Sequence, residues 1–253
     1  MTSFSILILT KNEEKNIARC LKPLLDLSDD VILLDNGSTD ATRDIALALG
    51  AKVQLVQWEG YAMTKNKGHA FAKYDWILSL DADEEINEEL KSEIKQLFAK
   101  DIAEENAFLL RRKMVFGTQI LHHGSLSNEY RLRLFNKNIA HWNNAEVHED
   151  IQFDKPAEIH KLKGYIKHYS YDTTVAHRLK LEHYAQLSAQ QMFAKAKGSS
   201  FIKRHISPLF GFIKNYIFRA GFLDGKLGYA YAKNEMWYVS RKYTLLQELN
   251  ERE

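Results

Sequence analysis

The sequence predicts an α/β protein with a mostly parallel sheet and a helical C-terminal extension, and three observations carry that prediction. Short apolar runs rich in Ile, Leu and Val alternate with amphipathic segments through the first hundred residues; such alternation marks βαβ units. The runs are apolar without a break, as strands are when helices cover both faces of their sheet. Three of them end in polar clusters, at Thr10-Lys11-Asn12, Asp35-Asn36 and Asp81-Ala82-Asp83. Ligands of parallel sheets bind beyond the carboxyl ends of the strands, so these clusters predict a binding site.

The elements follow in order. Phe4–Leu9 reads as the first strand, and Asn12-Glu13-Glu14 supplies a cap and acids for a helix start. Ile17, Cys20, Leu21, Leu24 and Leu25 then recur at helical spacing. Val31–Leu34 is a second strand, followed by a turn in which Gly37 suits an unusual backbone angle and Ser38 or Thr39 caps a helix through Leu49. A strand at 53–56, a helix near 63–73 and a strand at 76–80 come next. Asn87-Glu88-Glu89 opens an amphipathic helix with Leu90, Ile94, Leu97 and Phe98 on one face. Phe108–Leu110 and Arg131–Phe135 read as strands around a polar loop, His122-His123-Gly124-Ser125, whose histidines stay unassigned. From Thr174 the chain reads as helical, with Leu179, His183, Leu187 and Gln190 in loose periodicity. The expected division is 1–165 for the α/β region and 166–253 for the helical region.

At 253 residues the chain has room for one large domain or a domain with an extension. A single cysteine, Cys20, excludes an internal disulfide framework and fits a reducing compartment; its place on an apolar helix face predicts a buried filler. The start shows no basic n-region with a cleavage site, and no apolar run approaches the ~18 residues of a membrane span. The expectation is a cytoplasmic protein. Net charge is +2, yet residues 161–253 hold 16 Lys and Arg against 7 Asp and Glu, leaving 19 against 26 in residues 1–160. Such asymmetry predicts a cation or polar ligand in front and an anionic surface behind.

Asp81 and Asp83 are the most informative pair. Side chains at i and i+2 of a strand share a face, and two carboxylates that close invite a hard divalent cation. The alternative is that they only open the acidic helix that follows. No Gly-x-Gly-x-x-Gly or phosphate-loop Gly-Lys-Ser/Thr is present, which weighs against dinucleotide-binding and P-loop classes.

Ile8-Leu9-Thr10-Lys11-Asn12-Glu13, Leu34-Asp35-Asn36-Gly37-Ser38-Thr39-Asp40 and Asp81-Ala82-Asp83-Glu84 together resemble the family 2 glycosyltransferases of GT-A fold. Arg133-Leu134-Phe135, Val147-His148-Glu149 and Gly221-Phe222-Leu223-Asp224-Gly225 extend the resemblance towards the bacterial lipopolysaccharide core β-glucosyltransferases. The resemblance implies a UDP-sugar donor and a divalent metal, Mg²⁺ or Mn²⁺, between the aspartates and the diphosphate. It implies Asp83 as metal ligand, Asp81 on the ribose or metal-bound water, and His148 as a further candidate on the metal or diphosphate. Thr10, Asn12, Glu13, Asp35 and Asn36 would border the nucleotide, and Lys65 its base or phosphates. Many relatives carry a second aspartate where Asn36 stands, which leaves the base preference open. An inverting transfer needs one general base; the resemblance points to Glu149, with Glu146 and Asp150 as alternatives. Arg131 and Arg133 would meet phosphates of an anionic acceptor, or else form a solvated strand face.

The expected activity is transfer of a hexose, glucose from UDP-glucose, to the inner-core heptose of lipopolysaccharide or lipooligosaccharide. Leu209, Phe212, Ile213, Tyr216, Ile217 and Ala220 share a helical face, with Phe210, Phe218 and Phe222 widening it and Lys203, Arg204, Lys214, Arg219 and Lys226 around it. Residues 203–226 therefore predict peripheral docking on the inner face of the inner membrane; packing on the catalytic domain or on a second copy is the alternative. Basic residues set among aromatics, with an acidic front half, argue against nucleic acid as a partner. Two other functions remain: a sugar nucleotidyltransferase, disfavoured by the lack of glycine after Thr10, and a non-catalytic nucleotide-sugar-binding scaffold.

Overall fold

The computed structural model describes residues 3–127, 129–143 and 150–251. Contacts divide the chain into two compact units, one of residues 1–112 and 130–168, the other of 113–129 and 169–253. Segment 113–129 thus belongs with the C-terminal helices, although it lies within the front region by sequence.

The first unit is organised by four parallel strands, β1 (Phe4–Thr10), β2 (Val31–Asp35), β3 (Lys52–Leu55) and β4 (Trp76–Asp81), in the order β3-β2-β1-β4. β1 and β2 are buried at every position. Alternate residues feed two separate cores: Ile6, Ile8, Leu33, Leu78 and Leu80 face one, and Leu7, Leu9, Ile32, Leu34 and Ile77 the other. That two-sided burial is why these strands carry no polar alternation. Beyond β4 the sheet continues through β8 (Glu129–Asn136), β6 (Asn106–Phe116), β11 (Glu158–Tyr171) and β5 (Glu84–Ile86), with β8 antiparallel to β4 and β11 antiparallel to β5. β7 (Gln119–Ile120) pairs with β6, and β9 (Ala140–Trp142) with β10 (Ile151–Phe153).

Helix α1 (Ile17–Leu21) buries Ile17, Cys20 and Leu21, so Cys20 is the buried filler expected. Helix α2 (Thr42–Ala48) starts later than Ser38 or Thr39. The Ser38 hydroxyl instead accepts the Asn12 N–H at 2.9 Å, and Asp40 Oδ1 accepts the Thr42 N–H at 3.0 Å. Helix α3 (Tyr61–Gly68) ends in a 3-10 turn at His69–Phe71. Helix α4 (Glu88–Phe98) is capped by Asn87, whose Oδ1 accepts the Leu90 N–H at 3.0 Å, and buries Leu90, Ile94 and Phe98.

In the second unit, α5 (Thr174–Ala194) begins at its Thr173 cap and buries His177, Leu181, Ala185 and Ala189. Leu179 and Leu187 of the expected stripe are exposed. Two alanines on the buried stripe allow a close approach, a choice hydropathy alone does not reveal. Helix α6 (Ser207–Ile213) lies between π-helical turns at Ile202–Ile206 and Lys214–Phe218, and Ala220 is left-handed at φ 55°. The helical face expected from Leu209 to Ala220 therefore ends before Gly221, and a 3-10 turn (Gly221–Asp224) leads into α7 (Gly225–Asn250). No helix of the described residues is long and apolar enough to cross a membrane.

Candidate active site

The parallel register aligns Thr10 with Asp35 and Leu9 with Asp81, so the three polar clusters meet at the carboxyl ends of neighbouring strands. Asp35 is fully buried; its Oδ2 accepts the N–H groups of Gly37 and Ser38 at 3.1 and 3.0 Å. Gly37 holds φ 74°, which lets the turn fold back onto that carboxylate. Asp35 Oδ1 and Thr10 Oγ1 are buried without a hydrogen-bond partner. Buried polar atoms are normally satisfied, so two orphans at one sheet edge mark a place where a polar ligand would complete the bonding. Asn12, at φ 55°, crosses to the second cluster, its Oδ1 accepting the Thr39 N–H at 2.8 Å. The backbone N–H of Asn36 is committed to Thr10 O at 3.0 Å. Burial raises the Glu13 carboxyl above its usual range, with Asp83 and Asp40 adding to the effect against a hydrogen bond from Asn16.

Asp81 and Asp83 have different surroundings. Lys65 Nζ lies 3.0 Å from Asp81 Oδ1, and an Arg133 terminal nitrogen lies 2.8 Å from Asp81 Oδ2. Burial would raise the Asp81 carboxyl, but the charges of Arg133 and Lys65 outweigh it and hold it well below the usual range. Lys65 is itself buried on α3 and sits 4.5 Å from the centre of the Trp142 ring. Asn66 fixes that ring's strand through two hydrogen bonds of 2.8 Å with the Trp142 backbone. Arg133 is buried among acids, whereas Arg131 two residues earlier is exposed.

Asp83 Oδ2 lies 3.2 Å from His168 Nε2. The register that pairs Glu84 with His168 across β5 and β11 brings them together. Burial pushes the Asp83 carboxyl up, but the His168 hydrogen bond and charge outweigh it and leave it below its usual value. His168 was missed in the sequence because β11 was not read as a strand. Its Ile166-Lys167-His168 alternation was the available signal. Glu146, His148 and Glu149 lie outside the described residues; Asp150 is exposed, and its Oδ1 accepts its neighbour's Ile151 N–H at 2.9 Å.

These donors fit a divalent cation through Asp83 and His168. Cis ligands of an octahedral ion, at about 2.1 Å from it, stand about 3 Å apart, close to the separation seen here. The carboxylate oxygen suits Mn²⁺ or Mg²⁺ with phosphate and water completing the shell, and the imidazole nitrogen favours the softer Mn²⁺ of the two. Among the described residues no cluster of three or more His, Cys, Asp or Glu is assembled for a metal.

Residues 5–154 match Glycosyl transferase family 2. An uncharacterized glycosyltransferase of Rickettsia typhi is 32% identical over 90% of this chain and 81% of its own length. The lipopolysaccharide core biosynthesis glycosyltransferase LpsC of Rhizobium meliloti is 24% identical over 90% of this chain and 88% of its own. Among solved structures, Staphylococcus aureus TarS 1–349 covers all of this chain and 92% of its own at 20% identity and TM-score 0.48. The family match over residues 5–154 places the chain in glycosyltransferase family 2, and its mostly parallel sheet with polar clusters at the strand ends is of GT-A fold.

Proposed function

We propose that the protein is an inverting hexosyltransferase that moves glucose from UDP-glucose, with a divalent Mg²⁺ or Mn²⁺ ion, to an inner-core heptose of lipopolysaccharide or lipooligosaccharide. The observation that carries this reading is the strand-end site where the orphaned Asp35 Oδ1 and Thr10 Oγ1 stand beside the strand leading to Asp83 and His168. Asp35 and Thr10 hold the nucleoside, bordered by Asn12, Glu13 and Asn36, and Lys65, paired with Asp81, approaches its base or phosphates. Asp83 and His168 hold the cation, with His148 a further candidate. When bound, the cation neutralises charge on the departing diphosphate. Glu149 takes the proton of the acceptor hydroxyl, with Glu146 and Asp150 as alternatives. Arg131, exposed on β8, meets an acceptor phosphate, whereas Arg133 is committed to Asp81 and Glu84.

The name of the LpsC relative supports a core saccharide as acceptor. The protein works at the cytoplasmic face of the inner membrane, docking through residues 203–226. Phe210, Ile213, Ile217, Phe218, Phe222 and Leu223 are exposed in this stretch. No acid occurs from residue 183 to 223, against six Lys and Arg, as an anionic lipid surface would favour.

The test incubates the purified protein with Mn²⁺, UDP-glucose and lipopolysaccharide from a strain lacking the core hexose. UDP release with gain of one hexose by mass spectrometry is expected. In a parallel incubation with UTP and glucose 1-phosphate, release of pyrophosphate would replace the reading with nucleotidyl transfer, and UDP-glucose binding without turnover would replace it with a scaffold.

A further inference from the structure

The turn between β4 and β5 is closed by a ring of charges in which Lys65, Glu84 and Arg133 are buried and Asp81 is partly so. Glu84 Oε2 accepts the backbone N–H of Asp81 at 3.0 Å. Its other oxygen, Oε1, accepts from an Arg133 terminal nitrogen at 2.8 Å, and the same nitrogen donates to Asp81 Oδ2 at 2.8 Å. Lys65 takes the remaining Asp81 oxygen. Glu84 and Arg133 are 1% and 4% exposed, and only Asp81 keeps an edge towards solvent, its side chain being 30% exposed. Buried charges persist only when paired. Here Asp81 and Glu84 balance Lys65 and Arg133, and Arg112 stands 3.6 Å from Glu84 Oε1.

We propose that Glu84 and Arg133 are positioning residues that lock the Asp81–Glu84 turn, presenting Asp83 to the cation while holding Asp81 back from it. The proposal rests on the reading above that Asp83 binds the cation. Each oxygen of Asp81 already faces a full positive charge at hydrogen-bond distance, so a metal ion could reach it only by displacing Lys65 or Arg133. Asp83 lies outside the ring, between two of its members in sequence. Glu84 also stands directly across from His168 in the β5–β11 register. Fixing Glu84 therefore fixes the turn against the histidine that Asp83 meets. The aspartate pair divides its work: Asp81 anchors the cations of the protein, and Asp83, beside His168, meets the cation of the donor.

The geometry supplies a discriminating variant. One nitrogen of Arg133 makes both contacts, so the single ammonium of a lysine retains the capacity to bridge the two acids, which a methionine lacks. Glu84→Gln leaves one acceptor oxygen where two are needed. The experiment is a Mn²⁺ titration followed by electron paramagnetic resonance, with UDP present, alongside thermal unfolding of each protein. Glu84→Gln and Arg133→Met are expected to weaken Mn²⁺ binding ~10–100-fold, as loss of groups that orient ligands does. Arg133→Lys is expected to recover most of that loss. Wild-type Mn²⁺ affinity in Glu84→Gln, with only a lower unfolding temperature, would mean the ring is structural and overturn the proposal. If Arg133→Met does not fold, Glu84→Gln and Arg133→Lys still decide. Asp83→Asn separates the two levels: unchanged affinity there overturns the cation assignment itself, whereas loss there without loss in Glu84→Gln overturns only the ring.

Discussion

His168 Nε2 lies 3.2 Å from Asp83 Oδ2, although 84 residues of chain separate them. The contact comes from strand pairing: β11 returns antiparallel along β5 and sets His168 opposite Glu84, one residue past Asp83. An imidazole so placed adds a nitrogen ligand beside a carboxylate held below its usual range. His168→Ala is expected to raise the Mn²⁺ concentration for half-maximal transfer at least tenfold. After chelation, high Mn²⁺ should restore most of the activity. An unchanged Mn²⁺ requirement would remove His168 from the site.

Asp35 is expected to govern donor affinity. One of its oxygens is spent on the turn that follows, and the other is the orphan. Asp35→Asn removes the charge and makes one of the two positions a donor. A hydrogen bond to a charged group contributes about 1.5–3 kcal/mol, so UDP affinity should fall about ten- to a hundredfold. Isothermal calorimetry with UDP measures this directly. Equal affinity in the variant would place the nucleoside elsewhere.

The fold of the first unit was legible because buried parallel strands write themselves as unbroken apolar runs. β1, β2 and β4 fall within a residue of their predicted ends, and Asn87 caps its helix as the Asn-Glu-Glu pattern implied. β11 was illegible for the opposite reason. Its first half, Glu158–Lys163, is mostly exposed and rich in Lys and His, and Gly164 interrupts it, so neither period nor propensity marks a strand. The site followed the same division. Thr10, Asp35 and Asp81 were readable as strand ends, whereas the partners of Asp81 depend on long-range pairing. Arg133 sits in an alternating strand that could equally have faced water; only the register of β8 against β4 turns it inward.

Gly164 shows why that interruption is needed. A Cβ there would stand 2.2 Å from Leu90 N and 2.4 Å from Leu90 Cα, against helix backbone that cannot rotate away. Glu93 reinforces the approach, its Oε2 accepting the Gly164 N–H at 2.8 Å. Gly164→Ala should destabilise the fold by about 3 kcal/mol, the upper part of the range for overpacking. Chemical denaturation would show a lower midpoint, and an unshifted midpoint would mean that α4 can move away from β11.

The exposed aromatics of the second unit predict a measurable membrane affinity. Phe218 is 74% and Phe210 60% exposed. Burying a Phe side chain in an apolar phase contributes about 1.5–3 kcal/mol. The double variant Phe210→Asp, Phe218→Asp should lower partition into vesicles containing phosphatidylglycerol by more than about tenfold, while added salt weakens the wild type through its lysines and arginines. Sedimentation with vesicles reads both effects. Equal partition of wild type and variant would assign the apolar face to a protein partner.

His177 and Glu235 should show an unusual pH dependence because they titrate in opposite senses 3.7 Å apart. Burial, with some help from Lys180, lowers His177 from 6.5 to about 4. Burial raises Glu235 from 4.5 to about 7, against the charge of Lys242. The histidine's contribution to stability is present above pH 6.5 and lost as pH falls through 4. The glutamic acid's contribution is present below pH 4.5 and lost as pH rises through 7. Between 4.5 and 6.5 the slopes oppose each other, and wild-type stability should be nearly flat. Asn234 donates to His177 Nδ1 at 3.3 Å, which leaves the ring proton on Nε2, towards Glu235. Glu235→Gln exposes the histidine alone, so stability should climb by about 2–3 kcal/mol from pH 4 to 6.5. His177→Gln exposes the acid alone, and stability should decline by a similar amount from pH 4.5 to 7. Thermal unfolding across this range decides it: two variant profiles tilted in opposite directions are required, and parallel profiles would show that the pair does not titrate as a unit.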